Sequence, residues 1–266
     1  MLSYSDFKTG LNSLGLNNVP VIAHASLKAF GPIQGDGDTW LNTVLMALLD
    51  TTGGLMMPTF TYKTMITPGV GPANNGIIYG RQVDLNRMAE PFHYEMPADP
   101  LMGALPEALR KNPQSARTSH PILSFAGLGV DFALAAQTLY NPLEPIGALT
   151  NHGGWVLLMG VDHTVNTSIH YAEKLAGRLQ FVRWAVVKDR IVECRGFPGC
   201  SDGFAGLAAG LEGYTHRVEI GYSFVDAIPL KALIQVVRAR IKANPLDLLC
   251  QREDCQRCQA VRGSLL

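Results

Sequence analysis

"VPVIAHASLKAFGPIQGDGDTWLNTVLMALLDTTGGLMMPTFTY", residues 19 to 62, decides how the chain is read. VPVIAHAS (19–26) is a short apolar run with β-branched residues, the mark of a buried strand. A glycine-rich connection follows, and GDGDTWLNTVLMALLD (35–50) then reads as a helix with Asp38 or Thr39 as N-cap. GGLMMPTFTY (53–62) is a second buried strand. Strand, helix and strand in that order predict a parallel crossover, so the fold class is α/β.

Upstream, SYSDFKTGLNSLGL (3–16) places Phe7, Leu11 and Leu14 on one helical face. Downstream, MGALPEALRKNP (102–113) predicts a short helix, ILSFAGLG (122–129) a strand and DFALAAQTLY (131–140) a helix. GWVLLMGV (154–161) is the clearest buried strand, and NTSIHYAEKLAG (166–177) a helix with a Ser or Thr cap and a glycine stop. RWAVVKDRIVECRGF (183–197) alternates about a Lys-Asp-Arg turn and reads as a hairpin. VDAIPLKALIQVVRARIKANP (225–245) reads as a long terminal helix, before a cysteine-containing tail. These elements predict a single domain over 1–266, a central mixed sheet flanked by helices. Residues 63 to 100 are rich in Gly, Pro and Asn without periodicity, as expected of a functional loop or lid.

The 266 residues are 47% hydrophobic and balance 22 Lys and Arg against 22 Asp and Glu. A formal net charge of zero offers no field to neutralise phosphates, so neither nucleic acid nor an anionic membrane is an expected partner. The basic cluster VRARIK (237–242) reads as the wet face of a helix. No stretch approaches the roughly 20 apolar residues of a membrane span. The N-terminus lacks the basic start and apolar middle of a signal peptide, and five cysteines do not suit a secreted disulfide scaffold. A cytoplasmic protein is expected.

Three clusters could carry chemistry. His120 precedes a proline in SHPILSFAGLG (119–129), which holds it extended at the mouth of a strand. GVDHTVNTSIHYAE (160–173) follows a buried strand and offers Asp162, His163, Asn166, His170 and Glu173. His170 and Glu173 are three apart on one helical face, where a carboxylate can orient an imidazole for general-base work. The same pair also fits a plain intrahelical contact, and His120 a histidine bonded to backbone. AHASLKAFGPIQGDG (23–37) places glycines after a strand, where backbone can approach a ligand closely. GxGxxG, GxxxxGK[ST] and GxSxG are all absent, which removes the best support for dinucleotide, nucleoside triphosphate and serine-hydrolase readings. In the tail, Cys250, Cys255 and Cys258 stand at CxxxxCxxC spacing with Cys200 upstream. The four fit either a structural tetrahedral zinc site or free thiols in a reducing compartment.

HASLKAFG (24–31), LMMPTFTY (55–62), SARTSHPILSFAGLG (115–129), PLEPIGAL (142–149) and VLLMGVDHTVNTSIHYAE (156–173) occur in an order and spacing that resemble the aminoglycoside 3-N-acetyltransferase family. The resemblance runs from about residue 5 to 225. It implies an acetyl-CoA-dependent enzyme that acetylates an amine, most directly the 3-amino group of an aminoglycoside, by direct attack in a ternary complex. It implies His120, His170 and Glu173 as the acid–base residues. Coenzyme A would contact His24, Ala25, Ser26, Leu27, Lys28, Phe30, Gly31 and Ser124, and the acceptor Thr59, Tyr62, Asp162 and Asn166. The segment 63–100 departs from the resistance enzymes' substrate loop, and Asp84, Glu90, Glu95 and Asp99 there suit either a cationic acceptor or solvent. The rival readings are acylation of another amine, a metal-dependent hydrolase built on His24, His120, Asp162 and His170, and a binding module without catalysis.

Overall fold

The computed structural model describes residues 1–36, 38–67, 76 and 86–265. The elements run α1 (Tyr4–Ser13), β1 (Pro20–Ala25), α2 (Asp38–Thr51), β2 (Gly54–Pro58), β3 (Met65–Ile66), α3 (Ala104–Lys111), β4 (Ala116–Arg117) and β5 (Phe125–Leu128). They continue through α4 (Glu144–Asn151), β6 (Trp155–Met159), α5 (Thr167–Leu175), β7 (Phe181–Val187), β8 (Arg190–Phe197), β9 (His216–Ile220), β10 (Ser223–Pro229), α6 (Leu230–Ala243) and α7 (Gln256–Gly263).

Strand β1 pairs in parallel with β2 on one side and β6 on the other, the crossover expected from residues 19–62. Antiparallel strands extend both edges, giving the seven-stranded order β4-β5-β2-β1-β6-β10-β9. The sheet is mixed. Hairpin β7–β8 and the short β3 form a second sheet of three strands.

The alternation of a strand's side chains divides the core between the two faces. Val21 and Ala23 of β1, Leu55 and Met57 of β2, and Leu157 and Met159 of β6 pack with Phe7 and Leu11 of α1, Leu45 and Leu48 of α2, and Leu105 and Leu109 of α3. The intervening Ile22, Met56, Val156 and Leu158 join the cluster of Ile146 and Leu149 of α4, Ile169 and Ala172 of α5, and Leu233 and Val237 of α6. His24 follows Ile22 by two positions and so belongs to the α5 face, at the carboxyl end of β1.

Local pattern misled at two places. The helix expected over 131–140 is a single short turn, Asp131–Leu134, because Gln137 turns in to donate from Nε2 to the Leu123 and Pro142 carbonyls, both at 2.7 Å. The helix expected from residue 225 starts only at Leu230: Val225–Pro229 pair with β6 as part of β10. Helix α4 and strand β9 were not anticipated. As expected, VRARIK turns Arg238 outward while Val237 and Ile241 are buried. No helix among the described residues is long and apolar enough to cross a membrane.

Phe125 is fully buried on β5, and its ring meets Phe60 edge to face at 5.6 Å. Phe125→Ala should cost about 3–5 kcal/mol, read in urea as a lower midpoint at unchanged slope. A loss under about 1 kcal/mol would mean that this face is not a close-packed core.

Candidate active site

Helix α5 starts where Asn166 accepts the Ser168 N–H at 3.1 Å. That start sets the phase that brings His170 and Glu173 onto one buried face. The helix ends at Gly177, whose positive φ of 82° suits glycine and reverses the chain so that Arg178 folds back beneath Glu173. His170 Nδ1 lies 2.7 Å from Glu173 Oε2, and Arg178 Nη1 donates to Glu173 Oε1 at 2.6 Å. Arg178 Nη2 also donates to the Pro245 and Asp247 carbonyls at 2.8 and 2.7 Å. A carboxylate only accepts, so in the neutral ring Nδ1 carries the proton and Nε2 the lone pair. Phe204 holds the ring edge-on, with centroids 4.8 Å apart.

His170 lines a cavity of about 640 Å³ at the carboxyl ends of the three parallel strands, where open α/β sheets bind ligands. One wall is the β1 end and the turn after it, His24 to Lys28, with Trp40 beside them. Pro58, Phe60 and Tyr62 enter from β2, and Asn166 and Thr167 from the start of α5. Phe197–Gly199, Ser201 and Arg257 also line it. Burial pushes His24 down to about 3, so this ring stays neutral, and it raises the Tyr62 phenol to about 12 with help from Asp99. In the turn, Ser26 N–H donates to Met159 O at 2.9 Å and Ala29 N–H to Ser26 O at 3.0 Å, leaving the Leu27 and Lys28 amides unclaimed.

The remaining expected residues lie elsewhere. Phe30 is buried against Phe7, and Gly31 is a turn at φ 86° whose added Cβ would meet the Tyr222 ring at 2.5 Å. Thr59 and Ser124 are buried behind the cavity: Ser124 Oγ donates to Thr59 O at 2.7 Å and accepts from Arg117 Nε at 3.2 Å. Asp162 caps the turn before α5 by accepting the Thr164 N–H at 2.9 Å. Glu90 pairs with Lys63 at 3.4 Å, Glu95 with Arg110 at 3.6 Å, and Asp99 caps Leu101, so these three serve their own loops. Asp84 is outside the described residues.

The structure also separates His120 from His170. His120 lines a different cavity, of about 900 Å³, with Phe92, Tyr94 and Leu139. Its Nδ1 accepts the Ile122 and Leu123 N–H groups at 3.2 and 3.0 Å, which puts its proton on Nε2. Burial pushes it to about 4, the Leu139 carbonyl acting weakly the other way. Its surroundings are those of a buried, backbone-bonded histidine.

Among the described residues, the one His, Cys, Asp or Glu group close enough to share a metal ion is Cys200, Cys250, Cys255 and Cys258. All four are buried, and their sulfurs lie within 4.8 Å of one another. The hydrolase set of His24, His120, Asp162 and His170 is not assembled.

Sequence reasoning missed Arg178, Arg257 and Trp40. An arginine directly after the glycine stop of a helix bearing a buried carboxylate was the available signal for Arg178. Nothing local marked the other two.

The sequence model of the aminoglycoside 3-N-acetyltransferase family matches residues 22–242. Aminoglycoside N(3)-acetyltransferase VII of Streptomyces paromomycinus is 33% identical over 179 residues, 62% of this chain and 58% of its own length. The chain thus matches about three fifths of the length of such curated relatives. The crystal structure of the aminoglycoside acetyltransferase AAC(3)-IVa apoenzyme superposes with a TM-score of 0.79 at 22% identity, over 99% of this chain and 98% of that one. AAC-IIIb in binary complex with CoASH superposes at 0.72 with 21% identity, over 91% and 96%. At these identities the likeness to solved structures is one of fold.

The environment of His120 has a measurable consequence. Unfolded histidine titrates near 6.5, and His120 when folded at about 4. Between those values the unfolded chain binds the extra proton, so this contribution to stability is complete above about pH 6.5 and declines on acidification towards 4. His120→Asn, which keeps an acceptor near Nδ1, should flatten the pH dependence of unfolding by up to about 1.4 kcal/mol per pH unit in that window. An unchanged slope would contradict the buried neutral ring.

Proposed function

This chain belongs to the aminoglycoside 3-N-acetyltransferase family, and we propose that it transfers the acetyl group of acetyl-CoA to an amine, the 3-amino group of an aminoglycoside being the acceptor that the family's name supplies. The observation that carries this reading is the His170–Glu173–Arg178 chain, set on a cavity that the His24–Lys28 turn also lines. The thioester lies along that turn with its carbonyl beside the unclaimed Leu27 and Lys28 amides. The acceptor amine, in its neutral form, attacks the carbonyl carbon. His170 Nε2 takes the proton that the nitrogen sheds, and Glu173 stabilises the resulting imidazolium at Nδ1. The two amides receive the oxyanion. Collapse breaks the C–S bond, and the imidazolium returns its proton to the departing sulfur, releasing the amide and coenzyme A as its thiol. No covalent enzyme intermediate is needed, and the five cysteines, all buried, are not in the cavity lining.

Among the described residues, no Asp or Glu lines the cavity.

We also propose that Cys200, Cys250, Cys255 and Cys258 hold a structural zinc ion. Four bonds of about 2.3 Å in a tetrahedron set sulfurs about 3.8 Å apart, a spacing compatible with this cluster. The hydrogen bond between Cys258 and Cys200 lowers the Cys200 thiol and raises that of Cys258, and burial raises Cys250. The ion would fasten α7 to the loop after β8. The purified chain should carry about one zinc equivalent, and Cys258→Ser should lose both the metal and stability. Metal-free protein of full stability with titratable thiols would end this assignment.

The activity itself is tested by thiol release from acetyl-CoA with a panel of amines that includes aminoglycosides. His170→Ala should lower kcat by about 10²–10⁴ in a variant that melts with the parent. Near-parental turnover in that variant would remove His170 from the chemistry.

A further inference from the structure

Arg257 lies on α7 between Cys255 and Cys258, outside the residues that the family's sequence model matches, and reaches the cavity that His170 lines. Its Nη1 donates to the Gly199 carbonyl at 3.0 Å, and it forms no ion pair among the described residues. A guanidinium has five N–H donors, so among the described residues most of this fork is uncommitted, in a half-buried position where an unpaired cation is costly. Lys28, also in the lining, is a second cation without an ion pair among the described residues. Of the nearby carboxylates, Glu173 is paired with His170 and Arg178, while Asp162 and Asp99 accept N–H groups of their own turns and do not line the cavity. Among the described residues, the lining thus holds two cations, Lys28 and Arg257, and no carboxylate.

We propose that Arg257 is an anion-binding residue that holds a carboxylate or phosphate of a reactant beside His170. The planar fork suits two oxygens of one such group. Two reactants could carry this anion: an acceptor amine that also bears an acidic group, or coenzyme A through its phosphates, which offer the same chemistry. The identity of the reactants rests on the acyl-transfer reading above; the anion site does not.

The experiment uses the full chain with Arg257→Gln and, as the charge-keeping control, Arg257→Lys. Thiol release is followed with carboxylate-bearing amines and their neutral amide counterparts, and coenzyme A and inorganic phosphate binding by calorimetry. In Arg257→Gln the KM of the carboxylate-bearing amine should rise on the order of 10-fold or more, with kcat and the neutral counterpart nearly unchanged. Arg257→Lys should recover part of the loss. If instead the Kd of coenzyme A rises by a similar factor, and less so at high salt, the anion is the coenzyme's phosphate and the site stands. If neither constant moves in a variant that melts with the parent, the proposal is overturned. Should no amine react with the parent, the acyl-transfer reading fails. Weaker coenzyme A or phosphate binding by Arg257→Gln would then still support the anion site, and unchanged binding would overturn it.

Discussion

The buried carboxylate of Glu173 is the constraint around which the site is arranged. At 2% exposure it needs partners for both oxygens, and it has one on each: the His170 imidazole and the Arg178 guanidinium. Removing one partner from a buried charge typically costs 3–5 kcal/mol, so the three groups hold together or fail together. Arg178 is tied in turn to the chain after α6 through two carbonyls. The orientation of one imidazole thus depends on a helix cap, a glycine stop and the end of a distant helix.

The sheet supplies the other half of the geometry. Three parallel strands end at one edge of the cavity, bringing His24, Pro58 and Val161 together from distant parts of the chain. The flanking antiparallel strands close the sheet without contributing the imidazole. The end of the separate β7–β8 hairpin and the cysteine-bearing tail add further lining residues, including Phe197 and Arg257.

Much of this was legible because its causes are local. The β1–α2–β2 unit announces itself through apolar runs punctuated by glycines, and the His170–Glu173 spacing is a property of one helix. What was not legible depends on distant partners. Val225–Pro229 reads as the front of a helix, yet it fills the open edge of β6. His120 was expected in the site on its strand-mouth position and the family motif, but whether a histidine at a strand mouth faces a ligand or bonds its own backbone is settled by how the next residues fold over it. Arg117, quoted within the same motif, is a buried cation spanning the Thr59, Tyr94 and Met96 carbonyls, and charge composition alone does not reveal such a role.

The central claim is that Glu173 fixes the proton of His170 on Nδ1 and leaves Nε2 free as a base. Nitrogen-15 NMR of histidine-labelled protein at a pH where the ring is neutral reads this directly, with His170 assigned by comparison with His170→Ala. The account predicts a protonated Nδ1 and an unprotonated Nε2, with that single-tautomer signature lost in Glu173→Gln. A neutral His170 carrying its proton on Nε2 in the parent protein would contradict it.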